Sequence, residues 1–368
     1  MSNQNVNNKI MYRSCKYIER VHLNFNGLNG HQVNSDENGC IEFCCLSLAS
    51  GVTLSNIPEE SIKNIMSKRS KIIAKSKTYE QHERDIYDEA RNYILECEKC
   101  PYFRNMESNG DGLIHFVNIN MYPAPCQSKC IYCGVHNSKY GIFNDELYAK
   151  AYENMFGAIE WARCNNMIAA DAIWQVASGE ITIHPYKDRI IELVKNEKVK
   201  FLTNCFIYDE QIAELLRKNK SSSINLSIDA GTEETWLKVK GVNNFTKVIE
   251  NLSKYSEYAY CTEQITLKYI VLPGINDNVE DYKGIIDIMK RLKISKLIIS
   301  RDNRFRVEKI IISQSRKINN KLPKRQYDNT DKAIACLAAM LEQNGMTAER
   351  GAFWPDEYES ICERLVDK

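Results

Sequence analysis

The chain contains 368 residues, with 49 lysine and arginine residues against 48 aspartate and glutamate residues. The balanced charge argues against a nucleic-acid partner, and no apolar run is long enough to cross a membrane. The length suits one large domain and a smaller one, since domains commonly span roughly 100–200 residues. The polar start of the sequence has no secretory signal. Fourteen cysteines without such a signal therefore indicate metal-binding or catalytic thiols in a reducing, cytoplasmic setting.

The first 108 residues combine short strand patterns with thiols. Residues 20–25 alternate as a strand does, and an Asn-Gly turn at 38–39 precedes a cysteine-bearing strand, which predicts a hairpin. Pro58 suits the first turn of a helix, and a charged helical pattern covers about residues 78–96. The thiols of this region are Cys15, Cys40, Cys44, Cys45, Cys97 and Cys100.

A second group of thiols, Cys126, Cys130 and Cys133, has the spacing C-x3-C-x2-C, with Tyr132 directly before the third. Such a loop can curl around one soft-metal centre. Three thiolates can hold three irons of a [4Fe-4S] cube and leave the fourth iron open to another ligand. The alternatives are a zinc loop or three unrelated thiols. Structural zinc usually takes two spaced pairs of ligands, and no matching second pair follows directly.

Beyond this loop, strand and helix patterns alternate, which predicts an α/β fold with a parallel sheet. In a parallel barrel, reactive groups gather at the C-terminal ends of the strands, so polar residues there are candidates for a site. The predicted strands are 113–120, 169–177, 199–204, 223–228, 263–271 and 295–300. The predicted helices are 143–163, 186–195, 209–219, 232–238, 243–255, 278–291 and 329–344.

The cysteine loop and three strand ends resemble the radical S-adenosylmethionine (SAM) superfamily. Ala-Ser-Gly-Glu at 177–180 resembles its glycine-glycine-glutamate motif, and Ser-Ile-Asp at 227–229 resembles its Ser-x-Asp segment. Leu-Thr-Asn-Cys at 202–205 stands where relatives usually have Thr-Asn-Gly. The resemblance implies a partial (β/α)6 barrel over residues 109–310, with Cys126, Cys130 and Cys133 as cluster ligands. Residues expected to contact SAM or substrate are Tyr132, Ser178, Gly179, Glu180, Ser227, Asp229, Lys268 and Arg301.

The same resemblance implies an activity and its partners. A flavodoxin- or ferredoxin-like donor would supply an electron, SAM would be cleaved to a 5′-deoxyadenosyl radical, and this radical would abstract a hydrogen from a substrate C–H bond. Cys205 could then return a hydrogen atom, which would make the protein an epimerase. The alternatives are oxidation or cross-linking, or a scaffold without catalysis. The expected substrate is a carbohydrate or aminocyclitol, another small molecule, or a peptide.

Several of these residues also have ordinary structural interpretations. The 177–180 segment could be a plain strand-to-helix turn, and Asp229 could only cap the helix that follows it. Lys268 could be a solvated lysine. Cys205 could simply fill a glycine-sized space in the core, since free cysteine is often buried.

The N-terminal thiols resemble the SPASM/twitch module, although that module normally follows the barrel. Its marks are a glycine-to-cysteine hairpin, a short helix and a closing C-x2-C. The resemblance implies an auxiliary [4Fe-4S] cluster, while a zinc site and free thiols remain alternatives. The preferred auxiliary ligands are Cys15, Cys44, Cys97 and Cys100, and Cys40 or Cys45 could replace one of them.

At the other end of the sequence, residues 311–368 form a predicted lid and helical tail.

Overall fold

The structure is a computed structural model of the chain. It describes residues 11–27, 38–43, 51–78, 104–107, 111–121, 124–133, 145–177, 179–302, 328–353 and 357–365. The chain divides into two compact units, one of residues 1–122 with 144–174 and one of residues 123–143 with 175–368. The predicted domain boundary at residue 108 falls within the first unit, and the predicted domain limits stay predictions.

The first unit contains a small antiparallel sheet and most of five further strands. Its elements are β1 (Met11–Ser14), α1 (Lys16–Glu19), β2 (His22–Asn26), β3 (Cys40–Glu42), β4 (Val52–Thr53), α2 (Pro58–Thr78), β5 (Arg104–Glu107), β6 (Ile114–Asn120), α3 (Asp145–Cys164) and β7 (Ile168–Val176). β1 pairs with β5. The other strands lie in the order β7-β6-β2-β3-β4, with β2 parallel to β6 and antiparallel to β3. The strands predicted near residue 22 and at Cys40 are both present, and the structure shows that they pair with each other.

Helix α2 begins at Pro58, as the sequence predicts, because proline lacks the N–H that an interior helical position would need. The helix packs against α3, where Gly157 allows close approach. A Cβ at Gly157 would lie 3.0 Å from Cγ of Pro58. The buried Arg69 of α2 donates hydrogen bonds to the carbonyl oxygens of Ile18 and Glu19, at 2.6 and 3.1 Å. These bonds satisfy carbonyls at the end of α1 that have no partner within so short a helix.

The second unit alternates helices with parallel strands. Its elements are α4 (Lys187–Val194), β8 (Lys198–Leu202), α5 (Glu210–Lys218), β9 (Ser223–Ser227), α6 (Glu233–Lys240), α7 (Phe245–Tyr258), β10 (Ile265–Val271), α8 (Val279–Leu292), β11 (Lys296–Arg301), α9 (Asn329–Gln343), β12 (Thr347–Arg350) and α10 (Glu357–Leu365). The strands lie in the order β12-β11-β10-β9-β8, and all four neighbouring pairs are parallel. The predicted α/β class with a mostly parallel sheet is confirmed.

Side chains of β8 to β11 alternate between an apolar face and a polar face, as expected for strands. One face is buried beneath the helices and consists of Val199, Phe201, Ile224, Leu226, Ile265, Leu267, Tyr269, Leu297 and Ile299. The opposite face, called the polar face below, carries Lys200, Leu202, Ser223, Asn225, Ser227, Thr266, Lys268, Ile270 and Ile298. Most of these side chains are half-buried.

The six strands predicted beyond residue 112 are all present, with ends that differ by a few residues. Strand β12 was not predicted. It has only four residues, Thr347–Arg350, and they contain no apolar run that would indicate a strand. The charged pattern at 79–96 and the lid predicted after residue 311 lie largely outside the described residues. Among the helices that the structure describes, none is long and apolar enough to span a membrane.

Candidate active site

The cysteine loop at residues 124–133 is held by the C-terminal end of α6. The amide of Lys129 donates to the carbonyl of Lys240 at 2.9 Å, and the amide of Ile131 donates to the carbonyl of Val239 at 3.0 Å. Gly241, at a left-handed φ of 69°, makes this approach possible. A Cβ there would lie 2.9 Å from Cβ of Lys129. The loop backbone is therefore fixed independently of any bound group.

A buried hydrogen-bond network joins the same loop to the end of β9. The Tyr132 hydroxyl donates to Oδ2 of Asp229 at 2.5 Å. The Lys240 ammonium donates to that oxygen at 2.6 Å, to the Tyr132 hydroxyl at 2.7 Å and to the carbonyl of Ser227 at 2.6 Å. The side chains of Lys240 and Asp229 are 3 % and 0 % exposed, so this is a fully buried ion pair. Burial, followed by the charge of Asp229, raises the pKa of Tyr132 well above its usual value, which keeps the hydroxyl a donor.

Asp229 is further occupied by the neighbouring strand. Its Oδ1 accepts the amide of Ile270 at 2.6 Å, and its carbonyl accepts the side-chain amide of Asn276 at 2.8 Å. The backbone of Asp229 has a left-handed φ of 51°, a conformation that Asp and Asn tolerate better than most residues. The alternative that Asp229 caps the following helix is wrong, because Thr232 is the cap residue of α6.

The turn at 177–180 presses against the start of the cysteine loop. Gly179 has a left-handed φ of 52°, and a Cβ there would lie 2.5 Å from the carbonyl oxygen of Pro125. The amide of Glu180 donates to that same oxygen at 2.8 Å. Only glycine fits this position, which explains its place in the motif. Ser178 lies outside the described residues.

The Glu180 carboxylate is completely buried and links the turn to the end of β8. Oε1 accepts the Thr203 and Thr182 hydroxyls at 2.9 Å each, and Oε2 accepts the amide of Asn204 at 2.6 Å. Burial raises the pKa of this carboxyl, although the hydrogen bonds from Asn204, Thr182 and Thr203 act in the opposite direction.

Asn204 connects this carboxylate to the first cysteine of the loop. Its side-chain amide donates to Oε1 of Gln127 at 3.1 Å and points to Sγ of Cys126 at 3.7 Å. Burial raises the pKa of the Cys126 thiol to about 11, with the Glu180 charge adding to the effect. Sequence reasoning had assigned no role to Asn204 or to Lys240. The only available signal was their position, one after a strand and the other before a glycine.

The three loop thiols are donors of the kind that an iron–sulfur cluster uses. Cys126, Cys130 and Cys133 are all half-buried, so ligands can reach them. Within the part of the chain that the structure describes, no three metal-binding side chains converge closely enough to hold one ion. An iron–sulfur cube binds each thiolate to a different iron, so its ligands need not converge on a point. The donor set and the fixed loop therefore fit a [4Fe-4S] cluster.

Sequence comparison decides the family. Residues 124–287 match the family model described as Radical SAM superfamily. Residues 124–287 therefore form a radical SAM domain. Members are enzymes that use a [4Fe-4S] cluster and SAM, which agrees with the loop and turn described above.

Individual relatives are more distant. A Helicobacter pylori protein named "UPF0026 protein" is 24 % identical over 257 residues, which cover 63 % of this chain and 80 % of that protein. The crystal structure of Streptococcus suis SuiB bound to precursor peptide SuiA is 15 % identical and covers 95 % of this chain and 75 % of that chain, with a TM-score of 0.46. A radical SAM methyltransferase from Sphaerobacter thermophilus is 14 % identical and covers 64 % of this chain and 65 % of that chain, with a TM-score of 0.39.

Cys205 lies at the end of β8 but has no exposed surface. Its φ of 56° is left-handed, its amide donates to the Thr203 hydroxyl at 3.0 Å, and its carbonyl accepts the Asn251 amide at 2.9 Å. Burial also raises the pKa of the thiol far above its usual value. This environment favours the alternative that Cys205 fills a glycine-sized space, because a left-handed backbone is one that glycine adopts most readily. The hydrogen-donor role stays a prediction.

The three other predicted contact residues have two kinds of surroundings. Ser227 and Lys268 are register partners on the polar face, close to the Asp229–Lys240 pair. Arg301 is buried and donates to Asp331 of α9 and, at 3.1 Å, to Glu357 of α10. The Arg301 guanidinium thus holds the C-terminal helices, and its contact with SAM or substrate stays a prediction.

Of the predicted auxiliary ligands, only Cys15 lies among the described residues, together with the possible replacement Cys40. Both thiols are buried in the first unit. The carbonyl of Cys15 accepts the amides of Ile18 and Glu19, which starts α1. Cys44, Cys45, Cys97 and Cys100 lie outside the described residues. The SPASM/twitch-like module and its cluster stay predictions.

Proposed function

We propose that this protein cleaves SAM reductively and uses the resulting 5′-deoxyadenosyl radical to abstract a hydrogen atom from a substrate C–H bond. When held by Cys126, Cys130 and Cys133, a [4Fe-4S] cluster would supply the electron that cleaves SAM to methionine and the radical. The radical becomes 5′-deoxyadenosine by taking the substrate hydrogen. The observation that carries this proposal is the half-buried Cys126–Cys130–Cys133 loop, clamped by Lys240 on one side and by the Glu180 turn on the other.

The protein's own residues position the reactants. Cys126, Cys130 and Cys133 would hold three irons and leave the fourth to the amino and carboxylate groups of SAM. The 177–180 segment would hold the SAM ammonium through backbone carbonyl oxygens, since an ammonium group uses acceptors only, while the buried Glu180 carboxylate fixes the segment. The Asn204 amide points to the Cys126 sulfur, where an N–H group stabilises a thiolate.

Tyr132 is fixed beneath the loop by Asp229 and Lys240, so the loop keeps its shape while SAM binds and leaves. Holding both reactants in one orientation is the main way in which a protein accelerates such a step. A flavodoxin- or ferredoxin-like protein is the proposed electron donor.

The test is an anaerobic assay for 5′-deoxyadenosine from SAM and dithionite, together with iron and sulfide content. The Cys126→Ala, Cys130→Ala and Cys133→Ala variants are expected to lose both iron and product. Cys164→Ala is the control, because Cys164 is exposed at the end of α3. A wild-type protein that holds four irons per loop yet leaves SAM intact would contradict the proposal and support a scaffold role.

The fate of the substrate radical remains a prediction with two outcomes. Epimerisation would use Cys205 as hydrogen donor, whereas oxidation or cross-linking would pass an electron to an auxiliary cluster in the N-terminal module. A Cys205→Ala variant that still inverts the substrate with incorporation of solvent deuterium would exclude the first. Product formation without the N-terminal thiols would exclude the second. Both outcomes apply to a sugar, another small molecule or a peptide.

A further inference from the structure

Two lysines on the polar face have no partner among the described residues. Lys200 lies on β8 and Lys268 on β10, with β9 between them. Both side chains are half-buried, and neither ammonium has a hydrogen bond or ion pair with another described residue. Burial lowers the pKa of each, and each also lies close enough to another cation to lower it further.

The strand register connects the two lysines along a continuous polar track. Lys200 is opposite Ser223, and Lys268 is opposite Ser227 on the same strand. Asn225 lies between those serines on the same face. Hydroxyl and amide groups of this kind can donate hydrogen bonds to an anion that the ammonium groups attract.

The acidic groups near this track are already used. Asp229 is paired with Lys240 at 2.6 Å. Glu349 acts favourably on Lys200, but its carboxylate is paired with Lys296 at 3.1 Å. Asp229 also acts favourably on Lys268, but no described carboxylate forms an ion pair with either Lys200 or Lys268. Partly desolvated like charges are costly, and a protein commonly keeps them where a ligand supplies the opposite charge.

We propose that Lys200 and Lys268 bind an anionic group of the substrate, a phosphate or a carboxylate. The inference rests on the proposed function, since it assigns the substrate to the face of the sheet beside the cysteine-loop anchor. A lysine ammonium is a compact charge with three donors, suited to either group.

The position of Lys200 separates this subsite from the groups expected to hold SAM. Thr203 and Asn204, which join Glu180 near the cysteine loop, follow the end of β8. Lys200 comes three residues before Thr203, which corresponds to about 10 Å along an extended strand. Lys268 is level with Ser227, four residues further along than the level of Lys200, so an anion held by both lysines would lie between the loop anchor and the level of Lys200.

The experiment is calorimetric titration of the anaerobic, cluster-loaded protein with inorganic phosphate and, separately, with acetate, each with and without SAM. The variants are Lys200→Gln, Lys268→Gln and the charge-preserving Lys200→Arg. The control is Lys283→Gln on α8, because Lys283 is exposed. Iron content and circular dichroism establish that each variant is folded.

The wild type is expected to bind one of the two anions at one site, with SAM present or absent. Each glutamine variant should weaken binding by about tenfold or more, whereas Lys200→Arg and Lys283→Gln should bind as the wild type does. Phosphate binding would indicate a phosphorylated substrate, and acetate binding a carboxylate.

Absence of binding to the wild type would overturn the inference, as would wild-type affinity in both glutamine variants. Displacement of the anion by SAM would also overturn it, because the lysines would then belong to the SAM carboxylate. Formation of 5′-deoxyadenosine without substrate is measured in parallel. If the wild type forms no 5′-deoxyadenosine, the proposed function is contradicted, whatever the anion titration shows.

Discussion

Replacing Lys240 by methionine tests whether the buried network determines the shape of the cysteine loop. Methionine has a similar length and no charge, so the variant removes three hydrogen bonds without opening a large cavity. The Asp229 carboxylate would then stay buried with the Tyr132 hydroxyl and the Ile270 amide as its remaining partners.

Removing one partner of a buried ion pair typically costs about 3–5 kcal/mol, because the other charge is left without compensation. The two hydrogen bonds that Asp229 keeps place the expected loss at the lower end, about 3 kcal/mol. That is a large fraction of the stability of an ordinary domain, roughly 5–15 kcal/mol. The loop should also hold iron less firmly, since Tyr132 loses one of its two fixed contacts.

The assay is guanidinium unfolding of the iron-free protein, with iron retention against a chelator measured separately. Lys238→Met is the matched control, because Lys238 lies on the same helix, is exposed and forms a surface ion pair with Glu234, so no measurable change is expected. The double variant Lys240→Met/Asp229→Asn should lose less than the sum of the single variants by about 1 kcal/mol or more, since it buries no unpaired charge. A Lys240→Met protein with wild-type stability and iron retention would refute the reasoning.

Three further predictions concern single positions. Gly179→Ala should lower iron content, because the new Cβ would lie 2.5 Å from the Pro125 carbonyl, whereas Gly274→Ala, with a similar φ of 73° and open space around it, should keep its iron; equal iron in both would contradict this. Burial lowers the pKa of His184 from 6.5 to about 4, so the unfolded chain binds the proton first as the pH falls. The free energy of unfolding should therefore decrease by up to about 3 kcal/mol as the pH falls from 6.5 to about 4. His184→Asn should reduce this dependence of the unfolding free energy on pH, as measured by urea unfolding at several pH values. Cys205→Gly should change stability little and keep 5′-deoxyadenosine formation, because relief of the left-handed backbone, worth about 1–2 kcal/mol, offsets the lost burial; loss of that product would contradict the core-filling interpretation.

The periodic spacing of apolar residues in the sequence predicts most of the strands and helices. The strands near 114, 168, 198, 223, 265 and 296 are apolar runs between amphipathic helices, and such runs identify a parallel sheet from local sequence. β12 was not predicted from the sequence, because its four residues, which have half-exposed or exposed side chains, contain no such run. Its place beside β11 comes from tertiary pairing, which a local pattern does not contain.

The site was predictable where a residue type has few alternative uses. Three closely spaced cysteines point to a metal site by their chemistry. The glycine and glutamate after β7 were identified by their resemblance to a radical SAM motif. Lys240 was not predictable in this way, because a lysine near a helix end is ordinarily solvated. Its buried role depends on Asp229 and Tyr132, which are 11 and 108 residues away in sequence. Arg301 shows the converse, since its position at a strand end suggested a ligand contact while Asp331 and Glu357 occupy it.

The two lysine environments of the second unit indicate how stability and recognition are separated. Lys240 is compensated by Asp229 and by two oxygen acceptors, so it contributes a fixed support that no ligand needs to complete. Lys268 lies near the same pair but remains half-buried and without a partner in the described residues, so its charge is available. A network that must hold a cluster through every turnover gains from being closed, because an open charge would change its surroundings as ligands come and go. A subsite for substrate gains from being open for the opposite reason, since its binding energy comes from the compensation that the ligand brings. The anchor of the loop and the proposed recognition of the substrate therefore require opposite treatment of the same type of side chain, and Lys240 at the end of α6 and Lys268 on β10 provide both.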